Sequence, residues 1–246
     1  MNRAIGIFAH PDDEAIIAGG TLRLLADLGW ETHLICATRG EASTAYDRTY
    51  VKFEDLGPVR EKELLKAAGI LGIQQVHFLD YMDATLEKQD ENEAVERIAG
   101  LLNELQPELI YTFEENGISH HPDHKTVHRW VMKLLKEGKL AYEPKAIYLA
   151  TIDNRAGRLK NGKLMGSPIE EITTIIPIEQ VAEIKASAIL AHRTQLQMLI
   201  NNGLIVDGAL QRNHRHEYFI RVDPAGCPVS AEEKEDTLYT PCCDTI

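Results

Sequence analysis

The sequence has few cysteines, no basic excess, no long apolar run and no glycine-rich phosphate loop, and each shortage removes a class of function. Four cysteines in 246 residues are too few for a disulfide framework in a chain of this size. Cys36 sits in an apolar run and reads as a core residue. Cys227, Cys242 and Cys243 match no zinc-ribbon spacing; they read as part of a mobile tail, with a tail thiol site as the alternative. Lys and Arg number 26 against 38 Asp and Glu, a formal charge of −12. That is the wrong sign for a protein that grips nucleic-acid phosphates or a polybasic membrane anchor. No stretch approaches the ~18 apolar residues of a membrane span. The apolar run after Arg3 is too short for a secretory signal, so a cytoplasmic protein is expected. The first helix is not opened by Gly-x-Gly-x-x-Gly, and three acids stand where a pyrophosphate would sit, which argues against a dinucleotide-binding protein.

What is present is a regular alternation of short apolar runs and amphipathic stretches. Strands are expected at Ala4–Ala9, Thr32–Thr38, Gln75–Leu79, Glu108–Phe113 and Ala146–Thr151. Helices are expected over Asp13–Leu28, interrupted at Gly19-Gly20, then Val59–Leu71, Asn92–Leu105 and from about His124 to Lys136. This pattern predicts an α/β protein: a Rossmann-like, mostly parallel sheet with helices on both faces and right-handed crossovers. Further on, the spacing predicts a strand over Ile172–Ile176, one long helix over Glu179–Asn201 and a last strand over Tyr218–Val222. A single domain over 1–230 is expected, followed by a polar tail over 231–246.

Ligands of open parallel sheets bind beyond the carboxyl ends of the strands, and two polar clusters fall there. One is Ala9-His10-Pro11-Asp12-Asp13-Glu14, after the first strand. The other is Ser119-His120-His121-Pro122-Asp123-His124, after the fourth. In each, proline excludes helix from the residue before it and fits the first turn of the helix after it. Histidine and carboxylate from two loops suit a divalent metal of the zinc type, bound by about three protein ligands with a position left for water. A spare carboxylate can take a proton from that water, and a spare imidazole can protonate a leaving amine or hold an oxyanion. A capped helix start with a satisfied histidine is the plainer explanation of either cluster alone. Three consecutive carboxylates, and a second cluster at a second strand end, exceed what capping needs.

At these residues the sequence resembles the LmbE-like or PIG-L-type zinc-dependent N-acetylglucosaminyl deacetylases. The resemblance rests on the whole first cluster with Gly19 and Gly20, and on His121-Pro122-Asp123-His124. It extends to Thr38-Arg39-Gly40-Glu41, to Arg60 with Glu63, Ala67 and Leu71-Gly72, to Asp83, and to His192–Gln195. It implies His10, Asp13 and His124 as ligands of one Zn2+, with Fe2+ the other candidate. It implies Asp12 as general base and His121 as acid or oxyanion holder, with Asp123 behind His121 to fix its tautomer. Arg60 and Asp83 would bind the sugar, with Arg39 and Glu41 on the pocket rim. The implied reaction is hydrolysis of an N-acetyl group from an N-acetylglucosamine-containing substrate. An amidase acting on a larger sugar-linked conjugate, and a non-catalytic metal- or carbohydrate-binding protein, are the alternatives. The partner expected is a small amino sugar or glycoconjugate, not nucleic acid. A homo-oligomer would show as exposed apolar surface on the last helix.

The remaining histidines read as follows. His120 faces solvent or touches substrate. His128, one helical turn after His124 on the same face, is structural or approaches the site. His192 is structural or reaches the pocket. His214 and His216 lie in a basic patch that forms a solvated turn or meets an anionic substrate group. His33 and His77 are structural.

Overall fold

The computed structural model describes residues 1–155, 165–201, 203–211 and 215–229. In chain order the elements are β1 (Arg3–Phe8), α1 (Asp13–Ile17), α2 (Gly19–Asp27), β2 (Glu31–Cys36), α3 (Leu56–Leu71), β3 (Gln75–Phe78), α4 (Glu91–Leu105) and β4 (Leu109–Phe113). There follow the single turn α5 (Gly117–His120), α6 (Pro122–Lys136), β5 (Ala146–Thr151), β6 (Thr174–Pro177), α7 (Ala182–Ala191), α8 (Leu196–Asn201), a small hairpin of β7 (Ile205–Val206) and β8 (Ala209–Leu210), and β9 (His216–Val222).

Seven strands form one sheet in the order β3-β2-β1-β4-β5-β9-β6. The first five are mutually parallel. The runs RAIGIF and LIYTF are buried almost throughout, as strands covered on both faces must be. The sheet is mixed, because β9 pairs antiparallel with both β5 and β6. From β1 the chain steps outward to β2 and β3, then returns to β4 on the other side of β1. The strand order therefore reverses between β1 and β4, which opens a crevice at their carboxyl ends. Both histidine clusters leave the sheet at that crevice.

The expected long helix over Glu179–Asn201 is broken. Helix α7 stops at Ala191, His192 is non-helical (φ −80°, ψ 62°), a 3-10 turn spans Arg193–Gln195, and α8 follows. The cause is remote. Glu63 on α3 accepts hydrogen bonds from the Thr194 amide (2.9 Å) and hydroxyl (2.6 Å), and Glu14 holds the His192 ring. The first helix breaks at Ala18, just before the expected Gly19-Gly20, which open α2; Gly20 lets α2 pack closely, since a Cβ there would lie 2.7 Å from Ile178 Cγ2. The Gly20 and Thr21 amides, free at the start of α2, donate to the buried carboxylate of Glu217 on β9 (2.8 and 2.7 Å). Lys185 neutralises Glu217 at 2.5 Å. The hairpin β7–β8 was not foreseen. The polar tail with Cys242 and Cys243, and separately His214, lie outside the described residues; Cys227 is exposed.

Candidate metal centre

The loop after β1 turns sharply. Asp12 adopts φ 109°, a conformation costly for a residue with a side chain. The turn brings Asp13 back beneath the loop, so that its Oδ2 accepts the His10 amide at 2.8 Å. From β4 the chain enters a second strained turn, with positive φ at Gly117, Ile118 and His120. Glu114, the residue just after β4, clamps this turn by accepting the amides of Asn116 and Ile118, each at 2.6 Å. His124 then stacks on Phe113 with ring centres 4.1 Å apart.

Three side chains converge. His10 Nδ1 lies 3.2 Å from His124 Nε2, His124 Nε2 lies 3.3 Å from Asp13 Oδ1, and His10 Nδ1 lies 3.5 Å from Asp13 Oδ2. A tetrahedral ion with bonds of ~2.0–2.1 Å has ligand atoms about 3.3 Å apart. The far nitrogens fix the protons. His10 Nε2 meets the carboxylates of Asp83 (3.1 Å) and Asp123 (3.2 Å), so it carries hydrogen. His124 Nδ1 meets the Gly117 carbonyl at 3.1 Å, so it carries hydrogen too. Two ring lone pairs and a carboxylate therefore face one another in a buried space. Such a set repels itself unless a cation lies between its members. A ring nitrogen of His121 comes within 4.8 Å of nitrogens of His10 and His124, a looser approach than that of Asp13.

The other groups take definite places. Asp12 is buried, and burial raises its carboxyl pKa to about 6 against the pull of Arg60. Burial disfavours charge on His10, but the carboxylates of Asp123, Asp13 and Asp83 outweigh it and raise the ring well above the usual imidazole value; this position attracts positive charge, which either a second ring proton or a metal ion in its place supplies. His121 is lowered to about 4 by burial and by the neighbouring His10 and His124, and so is a neutral ring. Its Nδ1 accepts the Asp123 backbone amide at 3.2 Å, which leaves the hydrogen on Nε2.

Several expected contacts need correction. The Asp123 carboxylate does not sit behind His121. It faces His10, and is held by the amides of Ala84 (2.8 Å) and Leu86 (3.3 Å). Helix α6 starts at Pro122, which turns this side chain inward. Asp83 is likewise spent on His10 and on the Ala42 amide. Arg60 is 3% exposed; it donates to the carbonyls of Gly40 (2.8 Å) and Pro11 (2.5 Å) and reaches Asp12 Oδ2 at 3.3 Å. The polar groups of Arg60 and Asp83 are thus turned to the protein. Arg39 is partly exposed, pairs with Glu61 and Asp80, and lies over Phe78. Glu41 accepts the Asp83 amide at 3.1 Å. His128 donates to or accepts at the Phe113 carbonyl side of β4, 2.8 Å away, and His33 stacks on His77.

Glu114 escaped the sequence reading, and Glu14 and Glu63, both within matched motifs, were given no role there. Glu114 carried a legible signal, a carboxylate directly after a wholly apolar strand at the crevice.

Residues 5–135 match the PIG-L family, described as GlcNAc-PI de-N-acetylase. A Bacillus cereus protein, described as a probable N-acetyl-alpha-D-glucosaminyl L-malate deacetylase 2, is 31% identical over 80% of this chain and 84% of its own. Among solved structures, N,N'-diacetylchitobiose deacetylase from Pyrococcus horikoshii superposes with TM-score 0.67 at 20% identity, over 91% of this chain and 84% of that one. The hydratase GalB from Pseudomonas putida KT2440 superposes with TM-score 0.65 at 19% identity, over 90% and 96%. At such identities the fold alone is shared, and one fold carries different chemistries. The sequence match is of another order, spanning both histidine clusters and the crevice between them: the chain belongs to the LmbE-like/PIG-L deacetylase family.

Proposed function

We propose that this protein is a metal-dependent hydrolase that removes the N-acetyl group from an N-acetylglucosamine-containing substrate, with Zn2+ held by His10, Asp13 and His124. The observation that carries the reading is the convergence of His10 Nδ1, His124 Nε2 and the Asp13 carboxylate within 3.5 Å of one another, with the buried Asp12 carboxylate on the neighbouring residue. A divalent cation in such a site lowers the pKa of water and draws charge from an amide carbonyl. The chain's own groups do the rest. Asp12, with its amide and carboxylate both held, accepts a proton from the attacking water. His121, neutral and with hydrogen on Nε2, donates a hydrogen bond to the oxygen on which charge develops. The proton taken by Asp12 passes to the leaving nitrogen, giving acetate and a free amino sugar. The Bacillus cereus relative is named for an N-acetylglucosaminyl malate and the Pyrococcus horikoshii protein for diacetylchitobiose; both names carry an N-acetylated sugar, which supports the sugar part of the proposal.

Acetate release from a panel of N-acetylated amino sugars tests this, with metal-stripped, zinc-restored and Asp12→Asn proteins in parallel. Activity that returns with zinc and is lost in Asp12→Asn is expected. Failure to bind zinc would overturn the reading. Zinc binding without turnover of any acetylated sugar would overturn the substrate and direct the panel to bulkier amides.

A further inference from the structure

Glu14 and His192 form an ion pair that neither metal binding nor proton transfer requires. Glu14 Oε1 lies 2.7 Å from His192 Nε2, and both side chains are 0% exposed. The other oxygen, Oε2, accepts the backbone amide of Asp12 at 3.0 Å. His192 Nδ1 is buried with no hydrogen-bond partner among the described residues. Burying such a pair costs desolvation energy that an apolar pair of similar size would avoid. Capping does not demand it either, because a short side chain at the helix start serves that purpose.

What the pair touches is the strained residue. Asp12 holds φ 109°, and a non-glycine residue stays there only when its surroundings over-determine it. Two contacts do so. Arg60 draws on the Pro11 carbonyl and the Asp12 carboxylate, and Glu14 takes the Asp12 amide. Glu14 is in turn fixed from across the chain by His192, whose own backbone has left helix α7 to present the ring. We propose that Glu14 and His192 are positioning residues for Asp12, locking its backbone in the strained turn so that its carboxylate is aimed beside the metal centre. The conformational part stands on this geometry alone; the kinetic part rests on the deacetylase reading.

The test compares crystal structures, zinc affinity and steady-state kinetics of the zinc-loaded wild type, Glu14→Ala, Glu14→Gln and His192→Gln proteins. Glu14→Ala is expected to release Asp12 from positive φ while the His10, Asp13 and His124 separations persist. It is expected to lower kcat about 10²-fold, the scale of a small misplacement of a reacting group, with KM and zinc affinity unchanged. Glu14→Gln keeps an acceptor for the Asp12 amide and is expected to recover about tenfold of that loss. In an Asp12→Asn background, Glu14→Ala should cost nothing further. An unmoved Asp12 in Glu14→Ala would overturn the proposal, as would a loss confined to zinc affinity or a full further loss in the Asp12→Asn background. If Glu14→Ala does not fold, His192→Gln is read by the same criteria. A wild type inactive on every acetylated sugar would refute the deacetylase reading and leave the Asp12 conformation to decide the positioning.

Discussion

Asp123 Oδ2 lies 3.2 Å from His10 Nε2, on the ring edge opposite the one that faces His124. Its carboxylate supports His10, a proposed metal ligand, and Asp83 does the same from the loop after β3 at 3.1 Å. Partners of this kind orient a ligand and raise its basicity, and their loss costs about 10–100-fold in metal affinity. Asp123→Ala and Asp83→Ala are therefore expected to bind zinc about 10–100-fold more weakly by chelator competition. If Asp123 served His121 instead, kcat would fall at unchanged affinity.

Gly40 is required by Arg60. It sits at φ +66°, and a Cβ there would overlap the Arg60 guanidinium. Gly40→Ala combines backbone strain with displacement of a buried charge, at a cost of about 1–3 kcal/mol for the strain alone. A fall in Tm of about 2–4 °C per kcal/mol is expected in a domain of this size. An unchanged melting curve would show that the guanidinium moves aside freely.

Lys185 and Glu217 are 2–3% exposed at their side chains and 2.5 Å apart. Lys185→Met leaves Glu217 buried without its cation, and a loss of about 3–5 kcal/mol is expected from urea unfolding. Glu217 still has the Gly20 and Thr21 amides. A loss under about 1 kcal/mol would show that those two hydrogen bonds suffice to hold the charge.

The stacked rings of His33 and His77, with centres 5.8 Å apart, make stability depend on pH. Burial lowers the pKa of both. Both are neutral, folded and unfolded, above about pH 6.5. Below that value the unfolded chain takes up protons first, so stability falls with pH until the lowered folded values are passed. The stability difference between the wild type and His33→Gln/His77→Gln should shift against the wild type as pH falls through about 6.5, read from urea midpoints at about pH 7.5 and about pH 5.5. An unchanged difference would assign the effect to other groups.

Much of the site was legible because its two clusters are local: Pro11 and Pro122 set the turns, and each cluster follows an apolar strand. The parallel sheet was legible for the same reason. What stayed hidden comes from far along the chain. No local signal in the stretch from Glu179 to Asn201 announces that Glu63 will take Thr194 out of the helix. Nor does the HPDH stretch tell which imidazole Asp123 will face, since that depends on β1 and β4 lying side by side. The antiparallel insertion of β9 between β5 and β6 follows from pairing partners, which period and composition do not specify.

The long reach of these contacts bears on biosynthesis. Glu14 waits for an imidazole 178 residues later, and the start of α2 waits for a carboxylate 197 residues later. Synthesis is vectorial, so the acidic motif leaves the ribosome early and is completed almost last. A nascent chain stalled before residue 192 would carry its ligand loop without the imidazole that holds Glu14. The alignment of Asp12 is therefore expected to be completed only once His192 has emerged, so full-length chains should be active while chains stalled short of residue 192 are not.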